Sequence, residues 1–250
     1  MPLIRVPEHS PEDLAAWDAR EREDAAWARL PRLRDLVVEA TAAIEAFATA
    51  GPCYISTSWG KDSVVLCHLA YTLAEERGVE LPVAWARLEP FTQPHCYLVR
   101  GAFLARWPVR RYIEDEARFE RDAAGFVVVN GRPMQHGWLA LWMRKVGDRI
   151  GTHRYVTGIR ADEAAGRAIR VRKGLIHGKS CAPLGHWTSR DIYAYLHAND
   201  LPVHPAYAMT FGGRLDRDRL RVASLGGDIG TEFGRREWEE HYYGSVRAPQ

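Results

Sequence analysis

Between Ser56 and Ser63 the chain reads Ser-Thr-Ser-Trp-Gly-Lys-Asp-Ser, and this is where its residue types come closest to a recognisable chemistry. Ser58, Gly60 and Ser63 can set backbone N–H groups, hydroxyls and a helix N-terminus around one point, and Lys61 adds a full positive charge there. That combination suits a polyphosphate, so the ligand expected is a nucleotide. The apolar run Cys53-Tyr54-Ile55 precedes the loop. Val64, Val65, Cys67, His68 and Leu69 follow it at a spacing that faces a sheet, so the stretch predicts strand, phosphate loop, helix. A Walker loop is excluded: its pattern puts Ile55 where the first glycine belongs and Asp62 where the metal-binding hydroxyl belongs.

A second set of charged residues lies a hundred positions on. His153 to Thr157 reads as a strand ended by Gly158, with Arg160, Glu163 and Arg167 on the turn and helix start beyond it. Two planar guanidinium forks suit phosphate or sulfate, and a carboxylate between them can orient one. Spacings of three and four also suit a salt bridge along one helix face. The run Leu81 to Pro90 predicts a further strand with Glu89 at its carboxyl end, where ligands lie in an open α/β sheet.

The elements that must carry these groups can be read in outline. Ser10-Pro11-Glu12-Asp13 starts a charged helix expected to be exposed, and Pro31 opens a second helix whose Leu33, Leu36, Val37, Ala40, Ile44 and Phe47 should pack on the sheet. Two apolar strands separated by the helix behind the loop predict a parallel βαβ unit. A helix from Tyr97 to Trp107, a strand from Val109 to Ile113, a hairpin turn at Asn130-Gly131 and a helix over Trp138 to Gly147 follow. Trp138, Trp142 and Met143 could offer a platform to a nucleobase, although aromatic residues at helical spacing are read here as core. The divisions expected are a helical arm at 1–30, a nucleotide domain at 31–207 with an elaboration at 114–150, and a tail or lid at 208–250.

The 250 residues carry 34 Lys+Arg against 32 Asp+Glu, so no strong overall field steers the protein towards nucleic acid, which leaves room for a local basic patch. No apolar run reaches the roughly 20 residues of a membrane span, and the N-terminal residues lack the apolar core of a secretory signal. A cytoplasmic protein without a membrane partner is expected. Cys53, Cys67, Cys96 and Cys181 form no C-x-x-C pair, which argues against a disulfide framework and gives an iron–sulfur cluster no support.

Ser58, Gly60, Lys61, Asp62 and Ser63 match the S-G-G-K-D-S loop of the ATP pyrophosphatase superfamily, with Trp59 in place of the first glycine. The blocks Gly158-Ile159-Arg160 with Glu163 and Arg167, Pro183-Leu184 with Trp187-Thr188, Asp191-Ile192 and Tyr195-Leu196, and Leu201-Pro202 with His204-Pro205 and Tyr207 resemble the phosphoadenosine-phosphosulfate reductase family over about residues 31–207. The resemblance implies a Rossmann-like, adenine nucleotide alpha-hydrolase-like α/β fold: a mainly parallel sheet with helices on both faces. It implies ATP and Mg²⁺ as cofactors and a nucleotide site made of Ser56, Ser58, Trp59, Gly60, Lys61, Asp62, Ser63, Glu89 and Gly158. Lys61, Asp62 and Arg160 would be catalytic, Asp62 a candidate Mg²⁺ ligand, and Arg160, Glu163 and Arg167 the anion or acceptor site.

Within that family three chemistries stand open. Reduction of phosphoadenosine phosphosulfate needs a cysteine in a C-terminal motif, and none follows Cys181, which disfavours it. A sulfate adenylyltransferase small subunit would share the loop and arginines. An ATP pyrophosphatase of DNA phosphorothioation, with DNA and a sulfur-donating or modification-complex protein as partners, is the reading preferred, by analogy with that family's members. A nucleotide-binding module without turnover is the alternative outside enzyme chemistry.

Overall fold

The protein is described from a computed structural model over residues 3–89, 92–121, 127–129, 132–133, 138–222 and 235–244. The elements in chain order are α1 (Pro11–Trp27), α2 (Pro31–Thr49), β1 (Tyr54–Thr57), α3 (Lys61–Arg77), β2 (Val83–Glu89), α4 (His95–Arg106), β3 (Tyr112–Arg121), β4 (Val127–Val129), β5 (Arg132–Pro133), α5 (Trp138–Ile150), β6 (Tyr155–Val156), α6 (Ala165–Arg172), β7 (Ile176–His177), β8 (Ser180–Cys181), α7 (Ser189–Ala198) and α8 (Arg235–Tyr243). One sheet runs β5-β4-β3-β2-β1-β6-β8-β7. The five strands β3, β2, β1, β6 and β8 are parallel to one another, and β4, β5 and β7 join antiparallel at the edges. This is the mainly parallel, Rossmann-like arrangement the sequence predicts.

The alternation along β1 explains how both faces are covered. Ile55 points to the larger core with Val83 and Trp85, whereas Tyr54 points to the opposite face with Ala84, Ile113, Trp142 and Val146. The larger core is closed by α2, α3, α4 and α7, and the smaller by α5. Trp142 and Met143 therefore belong to a core, as the helical spacing indicates, while the Trp138 side chain lies outside the described residues.

Several expectations need correction. The third strand begins at Tyr112, not Val109, and continues into the stretch read as an elaboration. Its polar outer half is held by charges that meet across strands: Arg87 reaches Glu114 at 3.3 Å and Glu116 at 3.2 Å. The strand around His153 shrinks to Tyr155–Val156, and β8, unread in the sequence, pairs parallel to it. The turn at Asn130-Gly131 lies outside the described residues, although Val129 and Arg132 on either side are paired antiparallel.

Helix α1 is not an exposed arm. It lies along α7, with Trp17 buried against Tyr193. Asp13 is buried too, and its carboxylate accepts from the amides of Thr210 (3.0 Å) and Gly212 (2.8 Å) and from the Tyr242 hydroxyl (2.9 Å). One acidic side chain thus ties α1 to the turn after residue 209 and to α8. Burial pushes its pKa up, but these hydrogen bonds outweigh burial and leave it below the ordinary value.

Candidate functional site

Chain order along the sheet reverses beside β1: β2 and β3 lie on one side and β6 and β8 on the other. The loops after β1 and β6 therefore diverge at their carboxyl ends and leave a crevice, the usual ligand position in such a sheet. The loop 58–60 and the segment 157–160 meet there. Gly158 packs tightly against the start of α3, because a Cβ on it would sit 3.3 Å from the backbone carbon and Cβ of Asp62. A larger residue would push the two loops apart.

The phosphate loop is built as its residue types indicate, with one exception. Gly60 caps α3, and the amides of the first helical turn have no intrahelical acceptor, which presents a partial positive charge to the crevice. Ser63 donates through Oγ to the Gly60 carbonyl (3.0 Å) and accepts from the Ser58 amide (3.2 Å), fixing the curvature. Ser56 sits half-buried on β1, paired in register with Ala84. The exception is Trp59. Its indole is fully buried between Trp85, Phe103 and Tyr112 and donates to the Tyr112 hydroxyl (3.3 Å), so its side chain is not part of a nucleotide pocket. Its backbone adopts φ 59°, the left-handed conformation a glycine reaches without strain. The chain keeps the path of a glycine loop, and the buried aromatic offsets the backbone cost.

Lys61 is 3% exposed and is held from several sides. Its ammonium lies 3.4 Å from an Asp62 carboxylate oxygen and 5.0 Å from the centre of the Tyr207 ring. The Tyr207 hydroxyl accepts from the Lys61 amide (3.0 Å), so Tyr207 clamps both ends of this residue. The other Asp62 oxygen accepts from Arg160 Nε (2.5 Å), and both Asp162 oxygens accept from Arg160 Nη1 (2.6 and 2.7 Å), one of them also from the Ser189 amide (3.1 Å). Burial alone would lower the Arg160 pKa, but Asp62, Asp162 and Glu163 raise it, so this guanidinium is charged.

The expectation for Glu163 changes accordingly. Its carboxylate pairs with Arg167 and accepts the Arg160 backbone amide (3.1 Å), so the carboxylates that orient the Arg160 guanidinium are those of Asp62 and Asp162. Glu89 ends β2 as expected, but it accepts from the Tyr97 hydroxyl (2.5 Å) and faces Arg87 (3.8 Å) within the charge network of β2 and β3. Asp62 does not fit as a magnesium ligand, because both its oxygens are engaged by cations.

The crevice opens into a cavity of about 300 Å³ lined by Lys61, Arg160, Asp162, Glu163, Asp218, Arg219 and Arg221. The last three come from the segment after α7, and Arg221 donates to the Glu163 carbonyl (2.6 Å), which draws that segment across the mouth. Val222 lies 3.6 Å from where a Gly60 Cβ would be. Sequence reading named neither these arginines nor Tyr207 as site residues. The available signals were the alternating arginines after Leu215 and the tyrosine closing the Leu201–Tyr207 block. All four cysteines are buried, and burial pushes Cys96 and Cys181 up to about 12, away from thiolate chemistry.

Fold and site together define a Rossmann-like α/β protein with the Ser58–Ser63 loop and the Arg160 cluster at the switch point of its sheet. Residues 142–226 match the family described as the phosphoadenosine phosphosulfate reductase domain. The phosphoadenosine 5'-phosphosulfate reductase of Xanthomonas axonopodis pv. citri (strain 306) is 30% identical over 108 residues, and that of Xanthomonas euvesicatoria pv. vesicatoria (strain 85-10) is 35% identical over the same length. Each alignment covers 42% of this chain and 41% of the relative, so the match spans about two fifths of those reductases. The resemblance to the reductase family is thereby shown for this part of the chain. The FMN adenylyltransferase of Candida glabrata, solved with FMN and the ATP analogue AMPCPP, shares the fold at 14% identity, with a TM-score of 0.53 over 94% of this chain and 86% of its own.

Proposed function

We propose that this protein is an ATP pyrophosphatase that cleaves ATP between the α and β phosphates and transfers AMP to an acceptor, in the service of sulfur incorporation into DNA. The observation that carries the reading is the buried Lys61–Asp62–Arg160 chain at the mouth of the switch-point crevice. Lys61 and the amides at the start of α3 would hold the β and γ phosphates as they leave, offsetting charge that grows as the Pα–O bond breaks. Asp62 fixes Lys61 and Arg160 relative to each other. The acceptor oxygen would attack the α phosphorus from the side where Arg219 and Arg221 line the cavity. Ser56, Ser58, Gly60, Ser63 and Gly158 shape the nucleotide site in this reading, while Trp59 supports it from the core.

Reduction of phosphoadenosine phosphosulfate is a second reading, favoured by the relatives named above. The burial and raised pKa of Cys181 weigh against it on this chain, since a nucleophilic cysteine must reach its substrate as thiolate. Incubating the protein with ATP labelled on the α phosphate and either sulfate or DNA with a sulfur donor, and separately with phosphoadenosine phosphosulfate and reduced thioredoxin, separates these outcomes: AMP or an adenylylated product in the first supports the proposal, whereas sulfite in the second supports the reductase.

A further inference from the structure

The near-neutral total charge conceals a one-sided distribution. From Ala164 to Arg190 the chain carries four arginines, two lysines and two histidines, with no aspartate or glutamate. This stretch forms α6, the β7–β8 hairpin and the start of α7, and it begins where Glu163 lines the cavity. The fold places its charges outward. Val171 is the buried anchor of α6, in contact range of Gly185, where an added Cβ would meet the Val171 side chain at 2.9 Å. Arg170 is spent on structure, donating to the Gly174 and Ser180 carbonyls (2.7 and 3.1 Å), which ties the helix to the hairpin.

Of the remaining cations, Arg167 pairs with Glu163, His186 faces Glu39 and Arg190 lies over the Trp27 ring, which leaves three without such duties. Arg172, Lys173 and Lys179 are exposed and have no ion-pair partner among the described residues. Lys179 stands in the two-residue turn between paired His177 and Ser180, with Gly178 at φ 57° making that turn possible. Arg172 lies about 7.5 Å along the helix from Arg167, whose guanidinium pairs with Glu163 beside the cavity, so the unpaired positive charge starts one to two turns beyond the cavity and continues to the hairpin tip. Across the mouth, exposed Arg219 and Arg221 extend the positive charge on the other side.

The geometry points to α6 and the β7–β8 hairpin as a docking surface for the phosphate backbone of duplex DNA, which would bring a backbone phosphate to the Arg160–Arg219 mouth. The choice of DNA rests on the function proposed above, whereas the polyanion-binding character rests on the charge distribution alone. Unpartnered, exposed cations close to a reaction crevice are the electrostatic footprint of such a contact, and their affinity falls steeply with salt.

The test is fluorescence anisotropy with a labelled 30-base-pair duplex from 50 to 200 mM salt, using the full chain and the variant Arg172→Ala/Lys173→Ala/Lys179→Ala. These side chains are exposed, so the fold should survive, which circular dichroism checks. The expected result is salt-dependent binding whose log–log slope falls by about 3 in the variant, with affinity down on the order of tenfold or more at 100 mM salt. ATP binding by the variant should be unchanged. No duplex binding at 50 mM salt, or equal binding by the variant, overturns the inference, as does tighter binding of polyglutamate or single-stranded RNA than of duplex. A protein that binds DNA through this face but never releases AMP from ATP retains the surface and refutes the proposed reaction, so the two failures are distinguishable.

Discussion

Arg160 and Asp62, ninety-eight residues apart, meet through Nε and Oδ1 at 2.5 Å, and through that contact the segment after β6 is locked to the first turn of α3. The pair is more than a surface bridge, because the Arg160 side chain is 2% exposed and its second nitrogen is held by Asp162. Removing one partner strands a buried charge, and the remaining carboxylate compensates only in part.

Asp62→Ala should therefore cost about 3 kcal/mol of stability, near the lower end for a broken buried pair, because Asp162 still faces Arg160. Urea unfolding measures it. Arg160→Lys keeps the charge but cannot serve both carboxylates with a planar fork, and it should lose a comparable amount together with ligand affinity. A loss under 0.5 kcal/mol for both variants would mean the contact is incidental.

At Trp59 two effects oppose each other. Glycine would relieve a left-handed backbone, worth about 1–2 kcal/mol, but would empty a core site where truncating a tryptophan costs about 3–5 kcal/mol. The cavity term is larger, so Trp59→Gly should destabilise by roughly 2–3 kcal/mol even though glycine suits the loop. Increased stability in thermal or urea unfolding would show that strain dominates.

The loop after β1 was legible because its residues act through local geometry, and β1 because the apolar run Cys53-Tyr54-Ile55 leads into it. Strand β3 was harder to place. Its run of Glu114, Asp115, Glu116 and Arg118 resembles a solvated loop until β2 supplies Arg87 and α4 supplies Arg100 as partners. Strands β7 and β8 have two residues each, too few to show a period. The roles of Tyr207 and Asp162 depend on contacts that no local pattern encodes: Tyr207 reaches the Lys61 amide across 146 positions. The exposed position expected of α1 failed for a related reason, since Asp13 and Trp17 are buried by segments near the other end of the chain.

Three histidines make stability depend on pH. Burial lowers the pKa of His204 well below 6.5, lowers that of His95, and takes His68 to about 4. Each is neutral in the folded state but binds a proton in the unfolded chain below its ordinary pKa of 6.5, so the unfolded state gains protons as pH falls. Stability should be fully present above pH 6.5 and decline between 6.5 and about 4, read as a falling urea midpoint. His204 Nδ1 accepts from the Ala206 amide (3.1 Å). His204→Asn can keep that acceptor and should flatten the decline. A midpoint that is constant or rises on acidification would contradict the burial argument.

The central claim is that Lys61 and the loop around it hold the pyrophosphate as ATP is split. Its most direct measurement is the product formed from ATP labelled on the α phosphate, in the native protein and in Lys61→Ala, with sulfate and DNA supplied as acceptors. The account predicts label in AMP or in an adenylylated acceptor, with pyrophosphate released, and a rate about a hundredfold lower in the variant, equivalent to about 3 kcal/mol of transition-state stabilisation. Label appearing in ADP, or ATP bound with no turnover under any acceptor, would contradict it.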